Sequence, residues 1–452
     1  MIIPLCLVAP PSLPNPVSGP SVEVDPGFAY YADRSQESIA RELEVNGYKI
    51  VRYVVTNDQD VDDKLISAFH SRGIAVWYST FTNGFYGDPK GLPSGWERWK
   101  QVVLKPGDYG YTFLSLSSAD YLTWKGAQVV ATVNKHGFDG AELMEPFQVN
   151  WGGPDAADYG DLSASAIDAF RRTTGHAQPP EFADAASPRF WKTDAKLYSS
   201  WVDFRAAAVT SFLTALCKTI REGAPAKPIC IWALANTPPS PGQDPVALAR
   251  EWQGVDAGDM AAKAKPDLVC FQTNWPDWSA PDLPANYVER YKPFVEELRK
   301  ASMVPFIVQA DTGSNPANRR SRKWISDYEL ACTKLGAVGA TAYSYEIALW
   351  LYTEAPEVRQ VAVSGNHVLL VFQKRLDKGS AEDLKHYHLQ HGMSPTRAVC
   401  DGNLVRLTVP TLPRGSTSLK IDGVKDDLSR LLVKDQKPNV CSQTVKLVVP
   451  GG

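Results

Sequence analysis

The stretch "VVATVNKHGFDGAELMEP", residues 129–146, holds the end of a helical pattern, a glycine turn and a short β-rich run that finishes on two acids. Gly137 is the residue type that tolerates the left-handed backbone closing a helix. "FDGAELM" (138–144) then reads as a strand, with Glu142 on it and Glu145 just past its end. Helix, tight turn and strand together are one unit of an alternating α/β chain. Related units stand at "NGYK" and "RGIA", so this one stretch sets the reading of everything around it.

Working outward, eight β-rich runs cover residues 27–33, 48–56, 74–81, 138–144, 228–236, 267–275, 305–311 and 337–346. Seven helical patterns lie between them. Eight strands alternating with helices through short helix-to-strand turns predict a parallel closed (β/α)8 TIM barrel, an α/β fold, over residues 23–354. Residues 1–22, "MIIPLCLVAPPSLPNPVSGPSV", read as a leader and linker resembling the remains of a secretion signal without its basic start, which places the protein outside the cell or at its surface. After residue 354 the pattern changes to alternating β runs with Gly- and Asp-containing turns, so residues 355–452 are expected to form a small all-β sandwich.

Composition narrows the partners. A formal charge of −3 gives no reason to expect nucleic acid or an anionic membrane surface, and no stretch after the leader approaches the ~20 apolar residues needed for membrane insertion. Thirteen Trp and 18 Tyr, many in loop-like segments, suit a flat, partly apolar ligand. The seven Cys show no CxxC pair; most read as buried thiols, with Cys400 and Cys441 left open as a disulfide pair.

In a barrel of this kind the loops after the strands form the active face. The two longest follow the third and fourth strands, at about 82–118 and 146–198. The chemistry is then narrowed by elimination. His70 and His136 stand near helix ends and His176 in an insertion, so no metal site of the amidohydrolase type is expected. Lys49 and Lys227 stand at the wrong strand ends for a Schiff base, and "QADTGSNP" offers one glycine for a phosphate. No cofactor is expected.

Carboxylates, amides and aromatics remain. Alternation directs Glu142 into the barrel mouth, with Glu145 beyond it, Asp311 ending the seventh strand and Glu346 after the eighth. These four are the catalytic candidates, Asp311 being the first choice of partner for Glu142 or Glu145. Arg52, Trp77, Asn83, Trp151, Trp232, Asn236, Gln272, Asn274, Trp275, Gln309, Tyr343 and Tyr345 are the candidate substrate-binding residues. Trp151, Trp275 and Trp278 are expected as platforms, and Trp201, Trp252 and Trp324 as core. Acids from different strands converging on one mouth are what glycosidic cleavage needs, one protonating the leaving oxygen and the other acting as nucleophile or base. The expected partner is a carbohydrate, a cell-surface glycan among the options. A non-catalytic sugar-binding barrel and a carboxylate-dependent lyase or transglycosylase are the alternatives.

Residues 27–350 resemble the glycosidase-like barrels of bacteria in which "GFDGxxxD/E" marks the fourth strand, and "FDGAELMEP" is in part similar to the chitinase-type motif. Met144 stands where that motif has an acid, and Glu145 comes one residue early. The Asn-Glu dipeptide of the large clan with its acid on strand four is missing, and the strand-seven acid is Asp311 rather than Glu. The resemblance implies the architecture and an acid on strand four, without a particular substrate. Residues 357–435 resemble the bacterial Ig-like domains appended to secreted enzymes, departing at "DDLSRLL".

Overall fold

A computed structural model describes residue 15 and residues 17–449 except 56–60, 88–90, 106, 108–109, 312, 314–317, 414 and 433–435. The leader up to residue 14, Thr56 at the end of the second strand and most of the loop after Asp311 lie outside the described residues. The barrel strands are β1 (Ser21–Val24), β2 (Ile50–Val55), β3 (Ala75–Phe81), β4 (Gly140–Met144), β5 (Ile229–Ala235), β6 (Leu268–Thr273), β7 (Phe306–Asp311) and β8 (Gly339–Tyr343). They form one parallel sheet in sequence order, nearly closed. Across the seam, Ser21 Oγ donates to the Ala340 carbonyl on β8 at 2.9 Å.

Seven strands lie where the hydrophobic runs place them, and the first does not. The Tyr-rich segment 27–33 contains a 3₁₀ turn, Ala29–Tyr31, whose Tyr30 and Tyr31 are buried. The first strand is instead "SVEV", which begins within the expected leader. The reason is periodicity: Ser21 and Glu23 alternate with Val22 and Val24, so one face presents polar groups to the barrel interior and the other packs against helices.

The barrel has two apolar layers. Val22, Val51, Val76, Leu143, Ile231, Val269 and Val308 belong to the large core between strands and helices. Inside, Trp77, Met144, Cys230, Trp232, Cys270 and Ile307 form a smaller cluster around a polar centre. That centre is the buried ion pair of Arg52 Nη1 with the Glu142 carboxylate, each 1 % exposed or less. Glu142 also accepts from Ser79 Oγ at 2.5 Å and from Trp232 Nε1 at 2.8 Å. Gly140 is required beside it, because a Cβ there would come within 2.7 Å of the Trp77 ring.

The insertion after β4 builds a satellite core of Tyr159, Phe170, Phe182, Trp201 and Phe204, in which Trp201 Nε1 donates to Tyr159 Oη at 2.9 Å. No helix among the described residues is long and apolar enough to cross a membrane. The C-terminal region forms two antiparallel sheets, one of four strands and one of three, around their own core. Cys400 and Cys441 are both buried free thiols there, so the disulfide left open by the sequence is not formed. The two regions are joined by buried polar contacts. Lys374 Nζ donates to the Leu351 carbonyl at 3.1 Å and pairs with Asp426, while Arg375 Nη1 donates to the Tyr30 carbonyl at 2.8 Å. The Tyr-rich segment thus seats the sandwich rather than closing the barrel.

Removing one partner of a buried pair typically costs about 3–5 kcal/mol, because a desolvated charge is left behind. Arg52→Met and Glu142→Leu are each expected to lower unfolding free energy by about that amount, and the double variant by at least ~1 kcal/mol less than their sum. Denaturant titration of the three variants checks this; strictly additive losses would contradict the pairing.

Candidate active site

The mouth of the barrel holds two connected spaces. An outer cleft of about 410 Å³ is walled by Tyr86, Tyr111, Phe113, Trp151, Trp275 and Trp278, with Glu145, Gln272 and Asn274 on its polar side. An inner cavity of about 170 Å³ lies deeper, among Glu23, Val54, Phe81, Met144, Trp232, Gln309 and Tyr343. Glu145, Gln272, Tyr86 and Trp278 line both. They are the junction.

Glu145 reaches this junction because its backbone leaves the strand. Regular alternation after Glu142 and Met144 would turn the next side chain outward, but Glu145 adopts φ 53°, the left-handed region that L-residues other than Asn and Asp seldom occupy. Such a conformation costs of order 1–3 kcal/mol and persists where the surroundings enforce it. Gln272 Nε2 donates to Glu145 Oε1 at 2.9 Å. Glu145 retains some exposed surface toward the cleft, yet protein encloses it, and this burial pushes its carboxyl up to about 7 against the pull of the Gln272 hydrogen bond. A carboxyl poised there carries its proton over much of the neutral range.

Glu23 is the acid that the sequence reading missed, since it lay at the edge of the assigned leader. It is 1 % exposed, and burial, followed by repulsion from Glu142, raises its carboxyl well above the usual range. Arg52 opposes the rise, whereas Asp311 and Glu145 add to it. Asp311, two residues beyond Gln309 on the inward face of β7, accepts from the Gly313 amide at 2.6 Å. It stands opposite Tyr343 of β8 in the strand register.

The remaining candidates divide by location. Trp151, Trp275, Gln272 and Asn274 line the outer cleft; Trp232, Gln309 and Tyr343 line the inner cavity. Trp151 and Trp275 are 40 % and 59 % exposed, so their faces are open to a ligand. Trp278, named as a platform from its position after a strand, stacks nearly parallel to Tyr343 at 4° and 6.5 Å. Glu142 and Arg52, by contrast, are consumed by each other in the interior, and the Trp77 ring is packed beneath Arg52 at 5.7 Å. Their polar groups are paired below the cavity, away from the cleft.

Asn83 and Asn236 act as supports. Asn83 Nδ2 donates to the Phe147 carbonyl at 3.2 Å and its Oδ1 accepts from Tyr111 Oη at 2.7 Å, which ties the hairpin Gly84–Tyr86/Tyr111–Phe113 to the loop after β4. Gly84 is needed at this tie, because a Cβ would sit 2.0 Å from the Thr112 carbonyl oxygen. Asn236 accepts from Asn274 and donates to Gln253 Oε1 at 3.0 Å; Gln253 Nε2 in turn donates to the Asn150 carbonyl at 2.5 Å. This amide chain holds the loops that carry Trp151 and Trp275.

Tyr345 and Glu346 lie behind β8. Tyr345 Oη donates to Glu42 Oε1 at 2.8 Å near the junction with the sandwich. Glu346 accepts from Tyr31 Oη at 2.9 Å and Ser344 Oγ at 2.8 Å, and burial raises its carboxyl to about 7. Tyr111 and Phe113 were not foreseen; the alternation of "YTF" was the available signal, hidden inside a long insertion. No group of three or more His, Cys, Asp or Glu among the described residues is arranged to hold a metal ion.

No family model matches the sequence, and no curated protein matches it. Solved structures do match in fold, and those neighbours are glycoside hydrolases with (β/α)8 barrels. The glycoside hydrolase domain of PgaB (BpsB) from Bordetella bronchiseptica superposes with a TM-score of 0.51 at 14% identity, over 73% of this chain and 94% of that one. A β-galactosidase from the haloarchaeon Halorubrum lacusprofundi gives 0.50 at 14%, over 73% of this chain and 53% of its own length. One from Bacillus circulans sp. alkalophilus gives 0.50 at 12%, over 73% and 50%. The chain thus spans about half the length of those β-galactosidases. At these identities the likeness establishes the barrel fold and leaves activity, substrate and residue roles to the site itself.

The raised carboxyl of Glu346, 2 % exposed, has a consequence for stability. Because its folded value lies above the ordinary 4.5, its protonated form favours folding, fully below about pH 4.5 and progressively less up to about 7. The shift corresponds to roughly 3 kcal/mol. Denaturation of Glu346→Gln across that range should show a flatter pH profile than the parent protein; parallel profiles would contradict this assignment.

Proposed function

We propose that the chain is a glycoside hydrolase that cleaves glycosidic bonds with carboxyl groups at the barrel mouth, without a metal or cofactor. The observation that carries this reading is Glu145: a carboxyl held at about 7 at the junction of two spaces, with Gln272 donating a hydrogen bond to it and aromatic faces around it. A glycosidic oxygen bridging a sugar in the inner cavity and one in the outer cleft passes Glu145. It is therefore the general acid.

Its proton goes to that oxygen as the bond to the anomeric carbon breaks, and positive charge builds on the ring in the inner cavity. Asp311, which receives the Gly313 amide hydrogen bond, is the second carboxyl. Glu23 lies near it, its carboxyl raised by burial and then by repulsion from Glu142. Water then supplies the oxygen that ends on the anomeric carbon and the proton that restores Glu145, directly or through an Asp311 adduct. Trp151 and Trp275 offer stacking faces to the departing sugars.

General acid catalysis typically contributes 10²–10⁴-fold. Glu145→Gln should lower kcat on an aryl or oligosaccharide glycoside by about that factor, and Asp311→Asn comparably. In the parent enzyme kcat/KM should fall as pH rises through about 7, where Glu145 loses its proton, and Glu145→Gln should abolish that limb. Sugar binding by the parent without turnover on a broad glycan panel would overturn the enzymatic reading in favour of a binding barrel.

A further inference from the structure

Four polar atoms around the inner cavity are buried without a hydrogen-bond partner: Glu23 Oε1, Gln272 Oε1, Gln309 Oε1 and Trp278 Nε1. A buried polar group without a partner loses its bonds to water and gains none in return. Two amide acceptors, one carboxyl and one indole donor belong to side chains around a single space of about 170 Å³, and one ligand there can engage them together. Neighbouring hydroxyls of one sugar ring do so, donating to the two amide oxygens, exchanging a hydrogen bond with the Glu23 carboxyl and accepting from the indole.

The space is too small for a longer segment. It lies well below the ~300–1,000 Å³ typical of pockets that enclose drug-sized ligands. Its floor is closed: Val54, Met144 and Trp232 are at most 5 % exposed, and beneath them the Arg52–Glu142 pair fills the barrel. Among the described residues, the shared junction at Glu145 and Trp278 connects it to the outer cleft. The sign of the lining also selects. The amide acceptors Gln272 and Gln309, with Asp311 close by, disfavour a sugar that carries a carboxylate.

We propose that the inner cavity is a blind subsite for one uncharged terminal sugar, so that the protein removes single sugars from a chain end rather than cutting within the chain. This rests on the glycosidase reading and deepens it. The outer cleft then receives the rest of the chain, and the scissile bond lies at the junction that Glu145 shares.

The test uses the full chain with a panel of 4-nitrophenyl pyranosides, neutral and glucuronide, followed by the linear tetrasaccharide of whichever sugar is released. Monosaccharide and trisaccharide as the first products, with the glucuronide untouched, are the expected result. Disaccharide as the first product, or glucuronide as the preferred substrate, would overturn the blind neutral subsite while leaving a glycosidase in place. Turnover of no panel member and no oligosaccharide would overturn both readings. Gln309→Leu supplies a second check: its carbonyl has no partner to lose, so kcat/KM should fall at least tenfold with Tm unchanged or raised. A Tm fall of several degrees with unchanged kcat/KM would assign Gln309 to the scaffold and overturn its place in the subsite.

Discussion

Everything at the mouth of this barrel is built upon the Arg52–Glu142 pair beneath it. Two charges enclosed by Trp77, Trp232 and the inward Cys side chains need each other, because an isolated charge in such surroundings carries a desolvation penalty of several kcal/mol. Ser79 and Trp232 complete the carboxylate's hydrogen bonds and fix its orientation. The pair fills the lower barrel and leaves a floor on which a small cavity can stand. Its cost is specific: the first acid of strand four is spent on structure, and Glu145 is the acid of that segment that lines the cleft.

That displacement explains the odd spacing in "AELMEP". A regular strand would carry functional acids on alternating positions, two residues apart. Here Glu145 stands three positions after Glu142, and a left-handed backbone at Glu145 swings its side chain back over the barrel. The same geometry brings Gln272 within hydrogen-bonding distance and surrounds the carboxyl with Tyr86, Tyr111 and Trp278. Burial without a countercharge, rather than any special partner, is what raises it.

The architecture was legible because alternation, glycine stops and short turns all pointed one way, and seven strands lie within the runs read from them. The first strand was not. "SVEV" is four residues long and follows a Pro- and Ser-rich segment, whereas "GFAYYAD" looked like a better strand and proved to be the seat of the C-terminal sandwich. Missing that strand meant missing Glu23. Among the amides, residue type alone could not separate ligand contacts from scaffolding: Gln272 and Gln309 face the cavities, whereas Asn83 and Asn236 spend their hydrogen bonds on neighbouring loops. Such distinctions depend on which loops approach each other, information that no local pattern carries.

The central claim is that Glu145 holds its proton near neutrality at the junction of the two cavities. Carbon-13 NMR of protein labelled at the glutamate side-chain carboxyl carbon, with Glu145→Gln identifying the signal, measures this directly. A titration midpoint near 7 is expected for that carbon. A midpoint near the ordinary 4.5 would contradict it, since Glu145 would then be ionised at neutral pH and have no proton to give.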